Sequence, residues 1–269
     1  MSIKGKLERA AATVARLTRI GHHPAHKRDS GDHKLALDDV ALEMNPLLDR
    51  EKLAETFRRE GRIRVANVLT DPAAERLFYA LERETSWGLI FNKGRQVTEL
   101  KSVSHEKHQK IVLAACERAH TSFQYVHHHY RLSEGEKVYP GPNHYLGKLV
   151  RFLRAPEFID FMRELTGMEI RGLQSATATL FMPHHFLTVH DDEDINRRRL
   201  VAFSLNMTPQ WRPDWGGALQ FYDSSDHIEE GYLPTFNALN LFRVPKRHSV
   251  SQVAAFGGKR YSVAGWFES

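Results

Sequence analysis

The chain has 269 residues, 41% hydrophobic and 26% charged, with a formal net charge of +5, which is ordinary for a globular protein large enough to bury a substantial core. No run approaches the roughly 18 apolar residues of a membrane span, and the N-terminus lacks the continuous apolar stretch of a signal peptide, so the expectation is a cytoplasmic protein with no membrane partner. Cys116 is the single cysteine, which excludes an intramolecular disulfide and makes a small buried hydrophobe of it.

In residues 2–20, Ile3, Leu7, Ala11, Val14, Leu17 and Ile20 recur every three or four positions, as in an amphipathic helix. Gly21 to His33 is rich in His, Gly, Pro and charge and reads as a linker; His22, His23, His26 and His33 are read as solvated rather than metal-bound. Residues 1–36 are therefore an N-terminal extension and 37–269 a single domain. From Asp38 to Glu60 the pattern is helical, broken at Asn45-Pro46 because the residue before proline avoids the α region. Arg62 to Leu69 alternates as a strand, and Thr70-Asp71-Pro72 opens a helix.

Trp87 to Phe91 reads as a short strand. Ser104 to His129 reads as one long helix with Ile111, Ala114, Ala115, Ala119 and Phe123 on its apolar side. The triplet His127-His128-His129 points in different directions on any regular element, so its members are read as structural or surface histidines. Tyr139 to Tyr145 is a Pro/Gly loop that could border a substrate site, and Leu149 to Leu165 is helical with a break near Pro156. Residues 37–170 are thus mainly helical support.

The remainder is strand-rich: Ser175–Met182, Leu187–Asp192, Leu200–Met207, Ala218–Tyr222, Asn237–Arg243, Arg247–Val253 and Arg260–Phe267. Short strands broken by Gly, Pro and Asp turns indicate a sandwich or jelly roll, so the chain is expected to be α+β with a jelly-roll core over 171–269.

Chemistry concentrates in that core. Along Leu187–Asp192, Thr188, His190 and Asp192 share one face of a strand while Val189 and Asp191 take the other. His248 on a later strand supplies a third ligand. Two histidines and one carboxylate are the facial triad of non-haem Fe(II) oxygenases, which leaves coordination positions open. Gly257-Gly258 reads as a hairpin turn, after which Arg260 and Ser262 share a face. A guanidinium fork with a nearby hydroxyl suits the distal carboxylate of a dicarboxylic co-substrate.

In His190-Asp191-Asp192, Trp215-Gly216-Gly217-Ala218-Leu219, the Asn240-Leu241-Phe242-Arg243-Val244-Pro245 lead into His248, and Arg260-Tyr261-Ser262, the chain resembles the Fe(II)/2-oxoglutarate-dependent oxygenases. Within them it is most similar to the prolyl-hydroxylase-like branch. The resemblance spans about residues 173–267, with a weaker echo at Gly61–Leu69. It implies a double-stranded β-helix, with His190, Asp192 and His248 on Fe(II) and Arg260 and Ser262 on 2-oxoglutarate. It further implies O2 as oxidant, ascorbate as a candidate reductant, and hydroxylation with release of succinate and CO2. Members of this branch often place a tyrosine on the strand before His-x-Asp, where this chain has Thr179-Leu180-Phe181, so anchoring rests more heavily on Arg260 and Ser262. A nucleic-acid demethylase of the related branch carries a second arginine six residues after its first, and Trp266 stands there instead.

The expected substrate is a prolyl or similar residue in a protein, with a free amino acid or other small metabolite as the alternative. A non-catalytic cupin-like metal-binding module is the reading from a different class; it would lack the open iron positions or the co-substrate anchor. The positive charge and pI near 9.3, with Arg197-Arg198-Arg199 and Lys246-Arg247 close to the ligands, also allow an acidic macromolecular partner. The oligomeric state is not indicated.

Overall fold

The computed structural model describes residues 40–194 and 197–269; the helix expected at 2–20 and the histidine-bearing linker lie outside them. Among the described residues, the α-helices α1 (Arg50–Glu60), α2 (Asp71–Tyr79), α3 (His105–Ala119), α4 (Tyr145–Arg154) and α5 (Pro156–Thr166) are interleaved with the first five strands. These strands are β1 (Arg62–Ala66), β2 (Gly88–Lys93), β3 (Gln96–Leu100), β4 (Tyr125–Glu134) and β5 (Lys137–Val138). The second half is strands: β6 (Gly172–Phe181), β7 (Phe186–His190), β8 (Arg199–Asn206), β9 (Leu219–Tyr222), β10 (Ile228–Tyr232), β11 (Ala238–Arg243), β12 (His248–Val250) and β13 (Arg260–Glu268). Val40–Ser269 form one compact unit. Among the described residues no helix is long and apolar enough to cross a membrane.

Local chemistry explains the helix ends. The Asp49 carboxylate caps α1 by accepting from the Lys52 N–H at 3.1 Å, and Ser104 does the same for α3 through Lys107 at 3.3 Å, in each case satisfying an orphan donor of the first turn. Pro156 separates α4 from α5 because it lacks an N–H and opens the second helix instead of continuing the first.

One expectation fails between α3 and β4. The helix read from Ser104 to His129 stops at Ala119, and Tyr125 to Glu134 is a strand. The chain turns where the Asn92 side chain donates to the Phe123 carbonyl at 2.8 Å and accepts from the Tyr125 N–H at 3.0 Å. Beyond that point aromatic and histidine side chains suit a pleated surface, and β4 pairs with β2, β6 and β7. The short strands β3, β5 and β10 are likewise additions to the sequence reading.

The strand order β1-β11-β8-β13-β6-β4-β7-β12-β9-β10 makes a nearly closed, largely antiparallel barrel of jelly-roll type, so the α+β class and jelly-roll core stand as read. Period-2 alternation sorts its side chains. On β13, Tyr261, Val263 and Phe267 pack into the core beneath the helices, with Ala176, Ala178 and Leu180 of β6 and Val201, Phe203 and Leu205 of β8 beside them. The intervening residues, Arg260, Ser262 and Ala264 on β13 and Ser175, Thr177 and Thr179 on β6, face a cavity of about 560 Å³ inside the barrel.

The Gly257-Gly258 hairpin is not formed. β12 pairs with β7 and β9, whereas β13 pairs with β6 and β8, so the connection crosses between two groups of strands. The Trp215-Gly216-Gly217 segment has a backbone reason for its first glycine: Gly216 sits at φ 64°, ψ −145°, and a Cβ there would lie 2.1 Å from the Gln252 carbonyl oxygen. That backbone region is open essentially to glycine alone, and another residue costs on the order of 1–3 kcal/mol in strain before the clash is counted. Gly216→Ala is therefore expected to lower the melting temperature by about 5 °C or more in a thermal melt followed by circular dichroism; an unchanged melt would show that the turn relaxes.

Candidate metal centre and co-substrate pocket

Three of the sequence-derived residues meet at one end of the cavity. His190 ends β7 and His248 begins β12, and the two are cross-strand neighbours. Their ring centroids are 4.1 Å apart. The Asp192 carboxylate reaches both, with Oδ1 3.3 Å from His190 Nε2 and Oδ2 3.4 Å from His248 Nε2. The three ligand atoms lie within 4.8 Å of one another.

The orientation of both rings follows from the backbone. His190 Nδ1 is 3.0 Å from the Thr188 carbonyl and His248 Nδ1 is 2.7 Å from the Lys246 carbonyl. A carbonyl can only accept, so each Nδ1 carries the proton and each Nε2 keeps its lone pair toward the shared centre. Asp192 gets there by a route strand parity did not foresee. β7 ends at His190, and Asp192 adopts φ 64°, a left-handed turn that swings its carboxylate back between the imidazoles while Asp191 is exposed. The Arg199 guanidinium holds that turn by donating to the Asp192 carbonyl at 3.1 Å.

Electrostatics match the donor set. Burial opposes ionisation of Asp192, but the adjoining His190 and His248 outweigh burial and hold the carboxyl below the ordinary range. Burial, reinforced by His190, pulls His248 down to about 4. Imidazole nitrogens that keep their lone pairs and an ionised carboxylate are what a borderline divalent cation binds.

Arg260 and Ser262 enter from the β13 side of the cavity. Arg260 is 3% exposed, and its guanidinium lies 5.0 Å from the centroid of the Phe181 ring. Among the described residues no carboxylate pairs with it, and its Nε has no hydrogen-bond partner. Desolvation alone pulls its pKa down to about 10, still a cation at neutral pH. Ser262 Oγ is bonded to Thr179 Oγ1 at 2.7 Å across the β13–β6 pair. A buried cation and two hydroxyls without an internal anion fit a ligand carboxylate.

Several pocket residues were missed in the sequence. His127 lines the cavity with its ring stacked on Phe181, centroids 4.7 Å apart, and burial above all, with the charges of His129 and Arg260, pulls it to about 4. Tyr125 and His129 face the same cavity. The signal was present in the aromatic-rich run Tyr125–Tyr130, where alternation separates His127 and His129 from His128. The loop 139–145 does not line the cavity; Tyr145 is buried in the helical core.

The expected basic rim is largely neutralised. Arg197 pairs with Glu134 at 3.1 Å and Asp194 at 3.6 Å, and Arg131 joins the network through Glu134 and Glu99. Arg199 lies 3.8 Å over the Trp266 ring, so the position that bears an arginine in nucleic-acid demethylases is here an indole covered by a cation from β8. Arg198 remains exposed.

Residues 176–268 match the model of the 2OG-Fe(II) oxygenase superfamily. A stretch of 125 residues is 30% identical to prolyl 3-hydroxylase OGFOD1 of Mus musculus, covering 44% of this chain and 23% of that protein; the chain matches about a quarter of the length of the curated relatives. The Pseudomonas putida prolyl-4-hydroxylase superposes with a TM-score of 0.55 at 16% identity, over 82% of this chain and 99% of that one. A prolyl hydroxylase of Trichoplax adhaerens, solved with a hypoxia inducible factor oxygen degradation domain peptide fragment, gives 0.55 at 14% identity over 89% and 94%. At such identities the likeness to solved structures is one of fold. The ligand-bearing strands thus carry the match to the 2OG-Fe(II) oxygenase superfamily, and the described fold is similar to that of solved prolyl hydroxylases.

Proposed function

We propose that the chain is an Fe(II)- and 2-oxoglutarate-dependent dioxygenase that hydroxylates an unactivated C–H bond of a prolyl or similar residue in a protein. The observation that carries this reading is Arg260, a buried cation without an internal carboxylate, in the same cavity as the His190–Asp192–His248 cluster. A cupin-like module that only held a metal would have no use for that arginine.

In this reading His190, Asp192 and His248 hold Fe(II) through two Nε2 atoms and one carboxylate, and Arg260 with Ser262 holds the distal carboxylate of 2-oxoglutarate. When bound, iron, 2-oxoglutarate and O2 supply the oxidant that inserts one oxygen into the C–H bond, with succinate and CO2 released; ascorbate is the reductant proposed to keep the metal ferrous. The chain's own residues do the positioning. The Thr188 and Lys246 carbonyls fix both imidazole rings, and Arg199 fixes the backbone of Asp192. The buried Phe242 ring packs against His248 and the Phe123 ring against His190, adding apolar contact beside both imidazoles.

The relative is named a prolyl 3-hydroxylase, and the Trichoplax structure holds a protein-derived peptide; both support a prolyl residue of a protein as target. Docking of an acidic protein surface near Arg197–Arg199 would rely on Arg198, since Arg197 is already paired and Arg199 covers Trp266.

Asp192→Ala should abolish iron binding, read as metal content after anaerobic loading, while Asp191→Ala retains it; the reverse result would reassign the carboxylate ligand. Arg260→Ala leaves iron binding intact and raises the 2-oxoglutarate concentration needed for half-maximal turnover about 30-fold or more, because losing one side of a buried charge pair costs roughly 2–5 kcal/mol. Unaltered 2-oxoglutarate dependence would remove that assignment. The substrate class is tested by intact-mass measurement of proteins incubated with enzyme, iron and 2-oxoglutarate. A gain of oxygen mapped to a prolyl residue is expected, and efficient hydroxylation of a free amino acid with no protein modified would overturn it.

A further inference from the structure

A second group of histidines lies outside that cavity. His108 from α3, His128 from β4 and His185 from the β6–β7 connection present ligand nitrogens within 4.8 Å of one another. His108 Nε2 and His185 Nε2 are 2.8 Å apart. The His108 and His128 rings are stacked at 7° with centroids 5.5 Å apart, and the His128 and His185 centroids are 5.2 Å apart. His185 is fully buried and the other two are partly buried. Strand parity makes the two histidine groups distinct, since His127 and His129 face the oxygenase cavity and His128 faces α3.

The hydrogen bonds around these rings suit metal ligation. His128 Nδ1 is 3.1 Å from the Gly88 carbonyl, so it carries the proton and Nε2 is left with a lone pair. The Met182 N–H donates to His185 Nδ1 at 3.1 Å, so in the metal-free chain the His185 proton is on Nε2, toward His108. Ligation through His185 Nε2 would displace that proton, so metal binding at the trio is expected to release a proton and weaken as pH falls. Between the rings themselves, His108 Nε2 and His185 Nε2 share one hydrogen bond.

We propose that His108, His128 and His185 form a second transition-metal site, taking Zn(II) or a similar borderline divalent ion. Three imidazole nitrogens match the ligand preference of Zn(II) and leave a position for solvent. The ion ties three segments together: α3, the central strand β4, and the connection that leads through β7 to His190. Its role is structural, setting the start of the strand that ends in the oxygenase cluster. The proposal does not depend on the oxygenase reading.

The test uses the full-length His190→Ala/His248→Ala protein, in which the other cluster has lost its imidazoles. Stripped with chelator and titrated with Co(II), it should bind at this site with the intense visible absorption of a four-coordinate ion. A hundredfold excess of Zn(II) over its dissociation constant should raise the melting temperature by about 5 °C or more. Adding His108→Gln or His128→Gln should abolish both responses, with metal-free circular dichroism reporting that each variant folds. The proposal is overturned if the parent protein gives no such band, or if the band and the melting shift survive both glutamine variants, which would put the ion elsewhere, for instance on the 22–33 histidines. X-ray absorption of the Zn-loaded parent needs no substitution in the trio: three imidazole nitrogens at about 2.0 Å are expected, and a shell without them overturns the assignment.

Discussion

A guanidinium held inside a barrel with no carboxylate of its own is the constraint on which the rest of this structure turns. Arg260 is nearly fully buried, stays cationic although desolvation lowers its pKa to about 10, and faces Phe181 rather than an acid. A fold tolerates such a group only where the surrounding strands leave it no alternative. β13 is hydrogen-bonded on both sides, to β6 and β8, so the alternation of that strand is locked. The same alternation that sends Val263 and Phe267 into the hydrophobic core sends Arg260 and Ser262 into the cavity.

A comparable economy governs the metal-facing end. The two histidines are placed by cross-strand pairing, and their tautomers are set by main-chain carbonyls two residues upstream of each. Neither ring needs a dedicated carboxylate to orient it, which leaves the Asp192 carboxylate to face both Nε2 atoms. The cost falls on the backbone, where Asp192 takes a positive φ and Arg199 secures the turn. Arg199 therefore works twice, on the Asp192 carbonyl and over Trp266, and it belongs to the architecture of the site rather than to a docking surface.

β4 joins the two halves of the molecule. It pairs with β6 on one group of strands and β7 on the other, and its consecutive histidines serve both sides of the sheet. His127 borders Phe181 within the cavity, and His128 meets His108 and His185 behind it. The metal-facing cluster and the second histidine cluster are thus linked through one strand and through the short connection from His185 to His190.

The sequence by itself determined the jelly-roll core, the candidacy of His190, Asp192 and His248 as one ligand set, and the shared face of Arg260 and Ser262, whereas the positive-φ turn that brings Asp192 between the imidazoles came only with the fold. The first three rest on strand alternation and on ligand types, both of which are local. The sequence also marked Pro156 as a helix boundary, because ring closure acts on a single residue. The tertiary structure decided what depends on partners far along the chain. Helical spacing ran on past Ala119, yet Asn92 turned the chain and strand pairing claimed Tyr125–Glu134. The two glycines after β12 looked like a hairpin, but the flanking strands belong to different neighbours. His108, His128 and His185 are separated by up to 77 residues, and no spacing rule could unite them. Periodicity reports which face a side chain takes; only the folded chain determines what stands opposite that face.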